Sequence, residues 1–84
     1  MAFSFCHTPR IRSIRNGGYS RHNISLEQAQ AEFEQWLAAD TAGGAFTAEE
    51  EPASELPANY LRFVRIRHAR SGKVWYTLQI TNLS

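Results

Sequence analysis

Two eight-residue stretches near the C-terminus alternate side by side around a glycine turn, and that pattern leaves few folds open. Leu61-Arg62-Phe63-Val64-Arg65-Ile66-Arg67-His68 and Val74-Trp75-Tyr76-Thr77-Leu78-Gln79-Ile80-Thr81 both show the period of two that a strand with unlike faces requires. Arg70-Ser71-Gly72 stands between them, and a three-residue hairpin loop ends on a residue with positive φ, which glycine adopts freely. In that register Ala69 opposes Lys73, His68 opposes Val74, Ile66 opposes Tyr76 and Val64 opposes Leu78. Val64, Ile66, Tyr76, Leu78 and Ile80 then share one apolar face. Phe63, Arg65, Arg67, Trp75, Thr77 and Gln79 share the other. Arg67 falls opposite Trp75, a guanidinium–indole contact worth about 0.5–1 kcal/mol at an exposed site.

The helix expected to cover the apolar face starts at Ser25. Ser25 is a natural N-cap, Gln28 completes a capping box, and Ile24 sits where a hydrophobic staple begins. Leu26, Ala29, Phe33, Trp36 and Leu37 recur at helical spacing and form an apolar stripe. Glu27 falls in the first turn, where the helix dipole favours it. Gly43-Gly44 stops the helix near Asp40. Residues Asp40 to Asn59 read as a long acidic loop inside a single domain spanning 1–84, punctuated by Pro52 and Pro57, with one short helical turn at Thr47-Ala48-Glu49-Glu50. Upstream, Arg10–Arg15 reads as a strand, Asn16-Gly17 as a hairpin turn and Tyr19–His22 as a returning strand, which sets Ile14 against Tyr19 and Arg12 against Arg21. Phe3 and Phe5 add a further edge strand. The predicted fold is α+β: a small antiparallel sheet of three to four strands with one α-helix packed on one face, in β(β)-α-β-β order.

Charge is divided into three blocks. Before Ser25 the chain carries Arg10, Arg12, Arg15 and Arg21 and no carboxylate. All eight carboxylates lie in Ser25–Asn59, which holds no Lys or Arg, and Arg62, Arg65, Arg67, Arg70 and Lys73 follow. A net charge of +1 therefore hides a strong separation along the chain. Laid on the expected fold, it gives an acidic front of Glu32, Glu34, Asp40, Glu49, Glu50, Glu51 and Glu55. The basic, aromatic back comprises Arg10, Arg12, Arg15, Phe63, Arg65, Arg67 and Trp75. One-signed surfaces of this kind select and steer partners.

Several functions find no support. A hydrophobic share of 43% is too high for disorder. One cysteine, Cys6, excludes an intramolecular disulfide scaffold. No apolar run approaches the ~20 residues of a membrane span, and the N-terminus does not read as a secretory signal, so the expected location is cytoplasmic. Cys6, His7, His22 and His68 lack metal-ligand spacing, so neither metal nor cofactor is expected. Ser71-Gly72-Lys73 lacks the upstream glycine and following helix of a phosphate loop. No set of residues with nucleophile, base and oxyanion roles is recognisable, so the chain is read as non-catalytic.

Two functions remain. The first is a binding or inhibitor protein that acts by charge complementarity on a larger protein machine, one that handles nucleic acid. In size, architecture and the acidic block Glu27 to Glu55, the chain is similar to small phage-encoded inhibitors such as anti-CRISPR proteins. The likeness implies a protein partner within a nucleoprotein complex. The second is direct nucleic-acid binding through the Arg/Trp sheet face, with bases stacked on aromatics and phosphates on arginines. Phe63 and Trp75 also fit a protein interface, or a cover of N-terminal residues or loop. An acidic front, a basic back and an exposed strand edge also allow a homodimer.

Overall fold

The computed structural model describes residues 2–9 and 19–83. Strands β1 (Phe3–Pro9) and β2 (Tyr19–Ile24) precede helix α1 (Leu26–Thr41). Strand β3 (Phe46–Glu50), a 3-10 turn (Ala53–Glu55), β4 (Tyr60–His68) and β5 (Val74–Asn82) follow. The strands form one antiparallel sheet in the order β2-β1-β5-β4-β3, with α1 packed on one side. The class is α+β as expected, with five strands in place of three to four.

The helix begins as its sequence dictates. Gln28 N–H donates to Ser25 Oγ and Ser25 N–H to Gln28 Oε1, both at 3.1 Å, a capping box that stabilises the end by about 1 kcal/mol. Asn23, at φ 58°, makes the bend from β2 into the helix, a conformation asparagine tolerates better than most residues. Ala29 and Phe33 are fully buried, with Trp36 and Leu37 packed beside them, whereas Leu26 points outward. The sheet contributes Phe3, Phe5, Val64, Ile66, Leu78 and Ile80 to the same core. Burying a ring such as Phe33 is worth about 1.5–3 kcal/mol.

Several sequence expectations change. The supposed loop from Asp40 to Asn59 contains the end of α1, the whole of β3 and the 3-10 turn. Thr47-Ala48-Glu49-Glu50 is strand, because it completes the ladder of β4: Ala48 pairs with Ile66 and Glu49 with Arg65. Phe3 and Phe5 lie on an interior strand, bordered by β2 and β5. Tyr19 and Arg21 pair with His7 and Phe5, while their expected pairing with Ile14 and Arg12 lies outside the described residues. The expected strand at Arg10–Arg15 and the turn at Asn16-Gly17 lie outside the described residues.

The C-terminal hairpin keeps its register at Ile66↔Tyr76 and Val64↔Leu78 and loses it at the tip. His68 pairs with Lys73 across a four-residue loop, closed by Gly72 N–H on His68 O at 2.8 Å, with Gly72 at φ 70°. Arg67 then opposes Val74, and Trp75 becomes the extra residue of a bulge. The expected Arg67–Trp75 contact is replaced by stacking of Trp75 on His68 (5.5 Å) and edge packing on Phe46 (5.8 Å). A second irregularity makes Leu61 the extra residue between Tyr60↔Thr81 and Arg62↔Ile80.

Candidate functional site

The charge blocks meet one another across the fold. Acidic β3 pairs with basic β4, and acidic α1 lies over both sheet edges, so opposite signs become neighbours. On the helix side Arg62 is the centre. Its Nε and Nη2 donate to the two oxygens of Glu50, each at 2.8 Å, and its Nη1 donates to Glu34 and, at 3.2 Å, to Gln30. Its Cζ stands 4.0 Å from the centre of the Phe33 ring. The Glu50 hydrogen bonds hold the guanidinium pKa above its usual range against the opposing effect of burial, and Glu34 adds to this. The same hydrogen bonds hold Glu50 below its usual range.

Two further carboxylates tie α1 to the sheet. Glu32 Oε1 accepts from Arg21 at 3.0 Å and from the Tyr19 hydroxyl at 3.1 Å. Asp40 Oδ2 lies 3.1 Å from His7 Nε2, and the buried His7 ring sits against Trp36 (4.2 Å) and Tyr76 (4.8 Å). On the uncovered side of the sheet Arg67 Nη2 reaches Glu49 at 3.1 Å, and Arg65 bonds Glu51 and approaches Glu49 at 3.9 Å. Arg67 Nη1 also donates to Gly72 O at 2.9 Å.

Among the described residues the expected acidic front and basic back are therefore interleaved by ion pairs. Glu32, Glu34, Glu49, Glu50 and Glu51 are each ion-paired within the chain, Asp40 is hydrogen-bonded to His7, and Arg65 and Arg67 are held by Glu49 and Glu51. The physical reason is that antiparallel pairing sets sequence blocks side by side, where unlike charges attract at short range. Glu55 is exposed on the 3-10 turn. Arg10, Arg12 and Arg15 lie outside the described residues.

One cleft does unite members of both predicted sets. About 300 Å³ in volume, it is walled by Leu56, Pro57, Tyr60 and Phe63, with Glu51, Glu55 and Arg65 supplying its polar groups. The irregularity at Leu61 builds it. Strict alternation would set Tyr60 and Phe63 on opposite faces, but one extra residue returns both to the uncovered face, opposite Thr81 and Gln79. Their ring centres lie 6.4 Å apart, tilted by 56°. Arg65 Cζ lies 5.0 Å from the Phe63 centre and is anchored by Glu51. Trp75 does not join this cleft, since its bulge turns it toward His68. Phe63 and Arg65 were legible from alternation. Tyr60, Leu56 and Pro57 were not, because a bulge leaves no mark in the periodicity.

Among the described residues no group of His, Cys, Asp and Glu gathers as metal ligands do. Among the same residues no helix is long and apolar enough to cross a membrane. No protein-family model, curated protein or solved structure matches the chain.

Proposed function

We propose that the protein is a non-catalytic binding domain that engages a protein partner through the Leu56–Tyr60–Phe63 cleft. The observation that supports this is the shared placement of Tyr60 and Phe63, partly exposed aromatics beside an anchored arginine on an otherwise polar sheet face. Clustered aromatics with Arg are the usual anchors of protein interfaces. The narrower reading, an inhibitor imitating nucleic-acid phosphates in the manner of anti-CRISPR proteins, needs free carboxylates. Glu55 serves it, while Glu34, Glu49, Glu50 and Glu51 are engaged within the chain. Direct nucleic-acid binding is the less favoured reading, since phosphates would have to displace Glu49 and Glu51 from Arg65 and Arg67.

The test is parallel affinity capture from cell lysate with the wild-type chain and Phe63→Ala, joined to anisotropy titrations with single- and double-stranded oligonucleotides at low salt. The expected result is a protein retained by the wild type and lost with Phe63→Ala, whose circular dichroism is unchanged. Equal retention by both baits, or oligonucleotide binding below tens of micromolar with no retained protein, would overturn the proposal.

A further inference from the structure

The backbone around the Tyr60–Phe63 cleft is already hydrogen-bonded within the fold. Leu56 N–H donates to Ala53 O at 3.2 Å, Tyr60 N–H to Pro57 O at 3.0 Å and Glu51 N–H to Phe63 O at 2.9 Å. Pro57 has no N–H to offer. A strand laid along this wall would find few backbone groups to pair with, and its own N–H groups would lose water without replacement. What the cleft does offer is ring surface. Tyr60 and Phe63 are half-buried, with planes tilted by 56° and centres 6.4 Å apart, and Leu56 and Pro57 extend the apolar wall. The Tyr60 hydroxyl has no hydrogen-bond partner among the described residues, which leaves one donor beside the rings.

Charge on the rim is uneven. Arg65 and Glu51 are paired with each other, whereas exposed Glu55 has no ion-pair partner among the described residues. One uncompensated carboxylate thus stands at the edge of an aromatic floor. An occupant that fits must fill the apolar notch without stranding N–H groups, offer a carbonyl to the Tyr60 hydroxyl and bring a cation to Glu55. An amphipathic helix satisfies its own backbone, but its apolar stripe is longer than a cleft of about 300 Å³ can take. Proline in the polyproline II conformation has a rigid ring, no N–H and solvated carbonyls, and such segments dock on aromatic-lined grooves. A flanking arginine or lysine supplies the cation.

Resting on the reading of this cleft as the binding site, we propose that the partner presents a proline-rich segment in polyproline II form, flanked by a basic residue. One proline ring lies in the notch between Tyr60 and Phe63. The Tyr60 hydroxyl donates to a carbonyl of the segment, and the basic side chain meets Glu55.

The full chain, labelled with nitrogen-15, is titrated by NMR with an acetylated, amidated run of prolines carrying an arginine at each end, so that either direction of the peptide presents one. The same peptide with alanine in place of proline is the control. The expected result is a saturable shift of the Tyr60 and Phe63 amide signals, with binding about tenfold weaker for the alanine peptide, which lacks the preformed backbone. Tyr60→Phe, which keeps the ring, should weaken binding of the proline peptide about fivefold, and Glu55→Gln, at an exposed position, about threefold. A shift that never saturates, equal binding of the alanine peptide, or unchanged binding in both variants would overturn the proposal. Capture of a protein that depends on Phe63 separates this inference from the reading beneath it. A captured partner with no response to the proline peptide overturns the ligand class and leaves the cleft, whereas failure of both removes the cleft itself.

Discussion

The two faces of the β3–β4 ribbon carry the same chemistry to different ends. On the helix side, Arg62 is 21% exposed, is held bidentately by Glu50, bonds Glu34 and Gln30, and lies over Phe33. On the other side, Arg67 is 37% exposed and its partner Glu49 is 56% exposed. Both are Arg–Glu pairs between the same two strands. The covered one joins three elements and closes over a core ring, whereas the uncovered one links neighbours that the backbone ladder already holds. Solvent screens the second far more than the first. Cover, more than pairing, decides which ion pair is structural.

Breaking the covered cluster should give the largest effect. Arg62→Ala leaves Glu50 and Glu34 without their donor and strips one face of Phe33. Unfolding free energy in urea should fall by about 2 kcal/mol, below the 3–5 of a fully buried pair because the site is partly wet. For a domain of this size that corresponds to a drop in Tm of about 10 °C.

Acid titration should separate the faces next. Arg62 lowers the pKa of Glu50, so this contribution is complete above the ordinary value of 4.5. It is lost as pH falls through the depressed folded value, where the carboxylate takes up a proton. Glu50→Gln should therefore flatten the fall in stability below pH 4.5 relative to wild type, followed by denaturant melts at successive pH values. An equally steep fall would show that Glu50 is not the group being protonated.

Arg67→Ala, on the uncovered face, should cost less than about 0.5 kcal/mol in the same urea assay, and less still in high salt. The smallest effect concerns Cys6, on that face. Burial raises its thiol pKa above 9.0 more than its hydrogen bond to Ser4 lowers it. Alkylation by iodoacetamide at pH 8 should be slower than for a free thiol, with no loss of stability on Cys6→Ser beyond about 0.5 kcal/mol.

Much of the scaffold was legible because its determinants are local. Ser25 and Gln28 specify a capping box within four residues, and the alternation of Val64, Ile66, Leu78 and Ile80 specifies a core face without reference to anything distant. The site was less legible, for two reasons. Bulges at Leu61 and Trp75 each shift side chains to another face, and a single extra residue looks the same in sequence as an unbroken strand. Glu49 and Glu50 form a strand because β4 offers them a partner in register, a non-local condition that outweighs the low strand propensity of glutamate. The same condition explains the charge blocks. Read along the chain they suggest poles, but pairing brings Glu50 to Arg62 and Glu49 to Arg67. His7 was missed as well, since nothing near it in sequence announces Asp40 or Trp36.

A double-mutant cycle on Arg62 and Glu50, each replaced by Ala singly and together and measured by urea unfolding, addresses the covered cluster with the fewest assumptions. If the charge blocks exist to fasten helix and strand across the core, the two positions should be coupled by more than about 1 kcal/mol. Single-mutant losses that add to within about 0.3 kcal/mol would mean that the two residues act independently. The separation of charge along the chain would then need another explanation.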